Sequence, residues 1–169
     1  LPFSKEEIKK VWEHQKEPWV DTVLILLYSG WRISELLNLK PEDINLQAGT
    51  MKGGTKTKAG KDRVVPIHSK IRALVEARLA EGGPRLISYN GRACSQTQYR
   101  VFWADIMKAL EMNHTPHECR HTFETQLDSA GANRKCIDLL MGHVSKDTGN
   151  RVYNHKTLDE LKATVELIQ

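Results

Sequence analysis

The stretch "WVDTVLILLYSG", residues 19–30, is apolar around nearly the whole circumference of the helix that it predicts. Such a helix has no face that favours water, so we expect it at the centre of a core with other elements packed around it. Gly30 is typical of a helix end and predicts the last turn. The stretch therefore predicts a buried central helix.

Helical patterns lie on both sides of this stretch. Before it, "SKEEIKKVWEHQ" begins with Ser4 and has Glu7 three residues later, which is a capping-box pattern. After it, "RISELLNL" predicts a short helix stopped by Pro41. Further helices are predicted between Ser69 and Gly82, in "SQTQYRVFWADIMKALEM" after the capping residue Ser95, from Pro116 to Gly131, over about residues 134–141, and in the tail "TLDELKATVELIQ".

Residues 44–67 have a different character. They carry β-branched residues, glycines and alternation, which predict a small antiparallel sheet, with "KAGK" (Lys58 to Lys61) as its turn and Pro66 at its end. The strands cluster in one place and helices surround them. The predicted fold class is therefore α+β, mainly α-helical, with helices around a small antiparallel β-sheet.

Composition sets broad limits on function. The 169 residues suit a single domain, and a net charge of +4 permits a nucleic-acid partner without requiring one. Cys94, Cys119 and Cys136 are odd in number and far apart, so they indicate neither a disulfide framework nor a zinc finger and favour a reducing cytosol. No apolar run approaches the roughly 20 residues of a membrane span, and no signal peptide precedes the first helix. Because the chain starts at Leu1 rather than Met, we expect it to be a fragment.

One turn of the helix after Pro116 concentrates side chains that can carry positive charge. The stretch "HECRHTFETQLDSAG" places His117, Arg120 and His121 three and four positions apart, so they share a helix face near its N-terminus. A helix N-terminus favours phosphate or carboxylate. The alternative is a solvated basic face with Glu118 and Glu124 as partners, and the turn alone leaves both open.

Four other positions could take part in chemistry, and each also has an ordinary structural explanation. Arg32 follows the apolar helix, and Glu35 on the same face could orient its guanidinium, as in any structural ion pair. Lys58 lies in a lysine-rich hairpin, which can favour solubility, reach into a DNA groove or deliver a proton. His143 could simply cap a helix, and Tyr153 could simply fill space.

The order of these candidate residues and of the His117–Arg120 turn along the chain resembles the order found in the tyrosine recombinase (phage integrase) family. The matching segments are "LYSGWRISELLNL", "TKTKAGKDRVVPI", "HTPHECRHTFETQL", "LLMGH" and "VYNH". Each is a weak pattern alone, but five in this order and at compatible spacing are specific. The resemblance spans almost the whole chain and concerns the C-terminal catalytic domain. Residues 1–169 are thus expected to be that domain, a fragment without the family's N-terminal DNA-binding domains.

The resemblance implies an enzyme that cuts and rejoins DNA through a 3′-phosphotyrosine and exchanges strands via a Holliday junction, without metal, ATP or other cofactor. Tyr153 would attack the scissile phosphate. Arg32 and Arg120 would hold the non-bridging oxygens, and His143 would add a hydrogen bond. His121 is also typical of the family, but we expect it to be structural.

Proton transfer would involve the remaining residues that match the family. By resemblance, Lys58 would be the general acid on the leaving 5′ oxygen, with Lys56 or Lys61 as alternatives if the hairpin register differs. His117 would act as base or proton relay for the tyrosine, and Glu35 would support Arg32.

The position of the nucleophile departs slightly from the family pattern. Tyr153 follows His143 by ten positions, a slightly longer loop than is common. Tyr28, Tyr89 and Tyr99 all precede the His–Arg turn, which is the wrong order, so Tyr153 is the predicted nucleophile.

Partners and alternatives follow from the same resemblance. We expect double-stranded DNA, a cytoplasmic location on the nucleoid of a bacterial or phage-infected cell, and assembly with other protomers into a tetramer on DNA. The tail face formed by Leu158, Leu161, Val165 and Ile168 would pack either on a neighbouring protomer or on its own core. Alternative functions are a type IB topoisomerase-like nicking and closing enzyme, or a DNA-binding module without catalysis.

Overall fold

Helix α2 forms the centre of the structure, a computed structural model that describes residues 1–54, 61–143 and 156–169. The described helices are α1 Lys5–Glu13, α2 Val20–Ser29, α3 Ile33–Asn38, α4 Arg72–Ala80, α5 Gln96–Ala109, α6 Pro116–Ser129, α7 Arg134–Met141 and α8 Leu158–Val165. The described strands are β1 Ile44–Asn45, β2 Thr50–Gly53, β3 Arg63–Pro66, β4 Ser88–Tyr89 and β5 Arg92–Ala93. The predicted order of helices around a small sheet is confirmed.

The prediction for α2 is confirmed residue by residue. Every side chain of the helix except that of Asp21 is buried, and α1, α4 and α6 pack against it. Each buried Leu or Ile contributes roughly 1.5–3 kcal/mol, so this one helix supplies a large part of the hydrophobic stabilisation.

Gly30 ends α2 in a conformation that other residues rarely adopt. Its φ is +69°, and its backbone N–H donates to the Leu26 carbonyl at 3.1 Å. A Cβ at this position would overlap the ring of Phe123 on α6. Both the backbone conformation and the close approach of α6 therefore require glycine here.

Replacing Gly30 with alanine should lower the free energy of unfolding by about 2–5 kcal/mol, because a left-handed φ costs about 1–2 kcal/mol and the overlap about 1–3 more. Urea unfolding measures the change. Gly82→Ala is the matched control: Gly82 has a φ of +74° and nothing within 4 Å of its added Cβ, so only the backbone cost applies. Equal losses in the two variants would contradict the packing argument.

The predicted antiparallel sheet is present, in the order β1-β2-β3. Strands β2 and β3 pair Gly53 with Arg63 and Thr50 with Pro66. Most of the predicted turn, residues 58–60, lies outside the described residues, and Lys61 is exposed. The sheet therefore presents the two ends of the lysine-rich segment side by side.

A second two-stranded sheet, β4 with β5, was not predicted. Its connection is Asn90 and Gly91, with φ of +51° and +75°. Positive φ at both central residues is the two-residue hairpin geometry that Asn-Gly favours. The dipeptide is visible in the sequence and could have identified this hairpin.

The tail packs on its own chain. Helix α8 lies against α7 and β3, and Leu161, Val165 and Ile168 are buried, whereas Leu158 is 36% exposed. The imidazole Nε2 of His68 lies 2.7 Å from the Ile168 carbonyl oxygen. Two places were predicted for the tail, a neighbouring protomer or its own core. In the single chain the tail packs on its own core.

The three cysteines are free and buried. Within the described ranges, no helix is long and apolar enough to cross a membrane.

Candidate active site

Arg120 joins the ends of two helices. It is 2% exposed on α6, and its Nη1 donates to the Gly30 carbonyl at 2.7 Å while its Nη2 donates to the Met141 carbonyl. Gly30 lies two residues before Arg32, and Met141 lies two residues before His143. One buried guanidinium therefore holds together the points from which Arg32 and His143 extend.

The end of α7 explains why His143 follows a glycine. Gly142 has a φ of +68° and its N–H donates to the Leu139 carbonyl at 3.2 Å, and the His143 N–H donates to the Asp138 carbonyl at 2.9 Å. These two bonds are those of a Schellman motif, which reverses the chain after a helix. The left-handed conformation of Gly142 thus determines the direction in which the backbone leaves α7 and therefore where His143 lies.

The same motif leaves two carbonyls of α7 for other donors. Those of Leu140 and Met141 are not used by the motif, and a buried carbonyl without a donor is costly. Arg63 Nε donates to Leu140 at 3.0 Å, and Arg120 Nη2 donates to Met141. Two arginines on different elements therefore close the C-terminus of α7.

Arg32 is the N-cap residue of α3, and the predicted neighbour Glu35 lies beside its guanidinium. The Arg32 backbone N–H donates to Glu35 Oε1 at 3.0 Å, and its Nη1 lies 3.5 Å from the same oxygen. The closest partner of Glu35 is nevertheless Arg63, at 2.6 Å and 2.9 Å. Burial raises the pKa of Glu35, but hydrogen bonds and positive charge from Arg63, with a smaller contribution from Arg32, outweigh it and hold this pKa below its ordinary value.

The cluster also contains Arg63, a residue that the sequence patterns did not single out. It is 7% exposed, and its guanidinium carbon lies 4.5 Å from the centre of the Trp31 ring. Along β3, Arg63 and Val65 are buried and Val64 is exposed. Because alternate residues of a strand share a face, the alternation of Arg63, Val64 and Val65 is the signal in the sequence that could have indicated the burial of Arg63 beside Val65.

The cluster carries excess positive charge. Burial, followed by the charges of Arg32 and Arg63, lowers the pKa of Arg120 to about 10. Burial and then the charge of Arg120 lower the pKa of His143, and Arg32 adds to this. Among the described residues, no carboxylate lies within ion-pair distance of Arg120. Three guanidinium groups with one buried carboxylate, Glu35, form a site that favours an anion.

The acidic residues near the His–Arg turn have other direct partners. Glu118 accepts from the Thr115 N–H at 2.5 Å, and its Oε2 lies 3.4 Å from His114 Nδ1. Glu124 acts on Arg120 at longer range, but its ion pair is with Arg134 at 2.8 Å. The alternative of a surface turn paired with these two carboxylates therefore does not describe Arg120.

The three cationic side chains of this turn do not all point the same way. Arg120 is turned into the core, whereas His117 and His121 are exposed. The two imidazole rings meet edge to face with centroids 4.6 Å apart. His117 therefore lies one helical turn from Arg120, toward solvent.

Two predicted site residues, Lys58 and Tyr153, lie outside the described residues, as does Lys56. The segment with Lys58 leaves from Gly54 and returns at Lys61, and the Asp62 N–H donates to the Gly54 carbonyl at 3.1 Å. The segment with Tyr153 follows His143 directly. The described part of the site thus consists of the predicted residues Arg32, Glu35, Arg120 and His143, together with Arg63. His117 lies on the exposed side of α6, one turn from Arg120.

Comparison with known proteins identifies the family. A model of the phage integrase family matches residues 3–160. The chain is 34% identical to tyrosine recombinase XerA of Pyrococcus furiosus over 177 aligned positions, which cover 97% of this chain and 60% of the relative. The chain therefore belongs to the phage integrase family, and it spans about 60% of the length of this relative.

Solved structures share the fold. The chain is similar to the Tn1549 transposon integrase in complex with circular intermediate DNA, with a TM-score of 0.74, 24% identity, and coverage of 96% of this chain and 64% of that chain. It is also similar to the lambda integrase catalytic core, with a TM-score of 0.67, 16% identity, and coverage of 88% and 95%. The predicted fold of a tyrosine recombinase catalytic domain is confirmed.

Proposed function

We propose that this chain is the catalytic domain of a site-specific DNA recombinase that cuts and rejoins DNA through a tyrosine. The observation that carries the proposal is the pair of hydrogen bonds from Arg120 to the Gly30 and Met141 carbonyls. It gathers Arg32 and His143 beside a buried cation, and a phosphodiester is an anion that fits such a site. Membership of the phage integrase family supports the same conclusion.

In the proposed reaction the phosphate lies against the two guanidinium groups. Phosphoryl transfer concentrates negative charge on the non-bridging oxygens, and Arg32 and Arg120 stabilise that charge with planar donors. His143 donates a further hydrogen bond to the same oxygens. Glu35 keeps Arg32 in place, as its 3.0 Å contact with the Arg32 backbone N–H indicates.

Bond making and breaking are balanced by two proton transfers. The Tyr153 oxygen bonds to phosphorus and gives its proton to His117, while the bond from phosphorus to the 5′ oxygen breaks and Lys58 protonates that oxygen. The products are a 3′-phosphotyrosyl link and a free 5′-hydroxyl. Because the link conserves the energy of the phosphodiester, rejoining needs no ATP. The same steps in reverse join a new strand.

We also propose that recombination requires other protomers on double-stranded DNA, exchanging strands via a Holliday junction, in the cytoplasm and on the nucleoid. The integrase of Tn1549, which the fold resembles, was solved with DNA. The tail would contribute by moving the face of Leu161, Val165 and Ile168 from its own core to a neighbour, since the same side chains suit either place. Assembly on DNA can be tested by cross-linking with and without duplex.

Covalent capture of DNA tests the proposed function. The chain is incubated with a pool of nicked random-sequence duplexes, so that a cut near the nick releases a short fragment and traps the adduct. Complexes that survive SDS are recovered, and a label at the 5′ end of the cut strand should migrate with the protein because the link is to a 3′ phosphate.

The same protein and DNA also distinguish the proposed recombinase from the two alternative functions. Adducts enriched in one sequence, with strand transfer between duplexes, support a recombinase. Relaxation of supercoiled plasmid without sequence preference would support the topoisomerase-like function. Salt-sensitive binding without any adduct would indicate a non-catalytic DNA-binding module and contradict the proposal.

Sulfate binding should raise the pKa of His143. Burial and the charge of Arg120 lower this pKa in the empty site, and a bound dianion beside the imidazole would favour its protonated form. Sulfate serves as the probe because it does not titrate near neutral pH. Titration of the ring by NMR, against chloride at equal ionic strength, should show the rise in the native chain and lose it in Arg32→Ala. An equal rise in both would contradict an anion site at Arg32.

A further inference from the structure

With the residues that the structure describes, Arg63 makes three different kinds of contact from one buried position. Its Nη1 and Nη2 bind both oxygens of Glu35 at 2.6 Å and 2.9 Å, its Nε donates to the Leu140 carbonyl at 3.0 Å, and its guanidinium lies 4.5 Å from the centre of the Trp31 ring. The planar fork of arginine suits this set, whereas the point charge of lysine cannot reproduce it.

The first contact links Arg63 to Arg32. Glu35 Oε1 accepts from Arg63 Nη2 and from the Arg32 backbone N–H, and lies 3.5 Å from the Arg32 guanidinium. Arg63 therefore fixes the carboxylate against which Arg32 is placed. Without Arg63, the Glu35 carboxylate would be free to rotate toward Arg32 or to become protonated.

The second contact links Arg63 to His143 and Arg120. Leu140 and Met141 are consecutive residues, and their carbonyls accept from Arg63 and Arg120 respectively. The chain then turns at Gly142 and reaches His143. Arg63 thus holds the same end of α7 that Arg120 holds, from the side of the sheet.

We propose that Arg63 is a positioning residue for phosphodiester cleavage, which sets the direction of the Arg32 guanidinium through Glu35 and the place of His143 through the Leu140 carbonyl. The inference rests on the proposed recombinase function. A purely structural role is the competing explanation, because breaking any buried ion pair is destabilising.

The chain contains a matched control for that explanation. Arg78 is 8% exposed, binds both oxygens of Asp21 at 2.6 Å and 2.7 Å, and lies 4.5 Å from the centre of the Trp19 ring. It therefore has the same kind of ion pair and the same kind of ring contact. Its carboxylate partner, however, lies on α2 rather than beside Arg32.

The test compares Arg63→Met with Arg78→Met on a nicked duplex recovered by covalent capture. Single-turnover adduct formation is measured at saturating protein and at a temperature where each variant is folded by circular dichroism. We expect Arg63→Met to slow the reaction by about 10²-fold with DNA affinity little changed, since a displacement near 1 Å has that effect, and Arg78→Met to stay within about threefold. Arg63→Lys should fold, and its rate of adduct formation should lie between that of the native chain and that of Arg63→Met.

A double-mutant cycle supplies a readout that a structural role would not change. If Arg63 acts in part through Arg32, then Arg63→Met should have a clearly smaller effect in an Arg32→Ala background than in the native chain, and the remaining effect is the part that acts through His143. An equal loss in both backgrounds, or a native rate in Arg63→Met and Arg63→Lys, would overturn the positioning role alone. Failure of the native chain to form any adduct would overturn the recombinase function and this role with it.

Discussion

Tyr153→Phe should abolish the covalent protein–DNA adduct while leaving DNA binding unchanged. The substitution removes one oxygen, and that oxygen is the proposed nucleophile. Loss of a nucleophile costs on the order of 10⁴-fold or more, so the adduct should fall to background. The measurement is single-turnover formation of SDS-stable adduct on a captured nicked duplex, with DNA affinity from gel shift.

Tyr89→Phe is the control for this prediction. Tyr89 is a described tyrosine on β4, 38% exposed, and it precedes the His–Arg turn in the chain. Its variant should form adduct at the native rate. An adduct that persists in Tyr153→Phe would show that another group attacks the phosphate.

Arg120→Met should separate catalysis from stability. The variant loses two hydrogen bonds to buried carbonyls, each worth about 1–3 kcal/mol when the acceptor is left unpaired. It also removes a charge that the fold holds at a cost, since a pKa lowered from 12.5 to about 10 corresponds to roughly 3 kcal/mol. The two effects oppose each other. We therefore expect the net change in the free energy of unfolding to lie between a gain of about 1 kcal/mol and a loss of about 3 kcal/mol, the balance of these terms.

Cleavage by the same variant should fall on the order of 10³-fold, because a donor aimed at developing negative charge is lost. Urea unfolding and single-turnover adduct formation measure the two quantities on one preparation. Thr125→Ser, an exposed change on the same helix α6, is the control and should alter neither. Adduct formation within about tenfold of native in Arg120→Met would make Arg120 a structural residue only.

The balance at Arg120 indicates why the cluster is built this way. A buried cation without a carboxylate partner is unfavourable, and an anionic ligand beside it would remove that cost. The lower free energy of unfolding that results from burying Arg120 without an anion is thus recovered as binding free energy when a phosphate binds.

Local signals in the sequence predicted most of the fold. The apolar stretch of α2, the capping box at Ser4 and Glu7, and the glycine that ends α2 at Gly30 each act through a few neighbouring residues, so their outcome is largely independent of the rest of the chain. The Asn-Gly turn between β4 and β5 is a signal of the same kind that was overlooked.

The site was less predictable because its contacts are distant in sequence. Arg120 and the Gly30 carbonyl are 90 residues apart, and Arg63 and Glu35 are 28 apart. A basic residue on an amphipathic helix or a hairpin fits a solvated surface as well as a buried cluster, so only the tertiary structure separates the two. The family resemblance supplied the set Arg32, Arg120 and His143, whereas the contacts of Arg63 with Glu35, Leu140 and Trp31 required the structure.

The central claim is that this cluster serves a reaction at Tyr153, and identification of the residue that carries the DNA tests it most directly. Trypsin cuts after Arg151 and Lys156, so the peptide "VYNHK" contains Tyr153 as its single tyrosine. After nuclease and trypsin digestion of the trapped adduct, tandem mass spectrometry should find this peptide with a nucleotide attached through its 3′ phosphate to Tyr153. A nucleotide on any other residue, or one attached through a 5′ phosphate, would contradict the account.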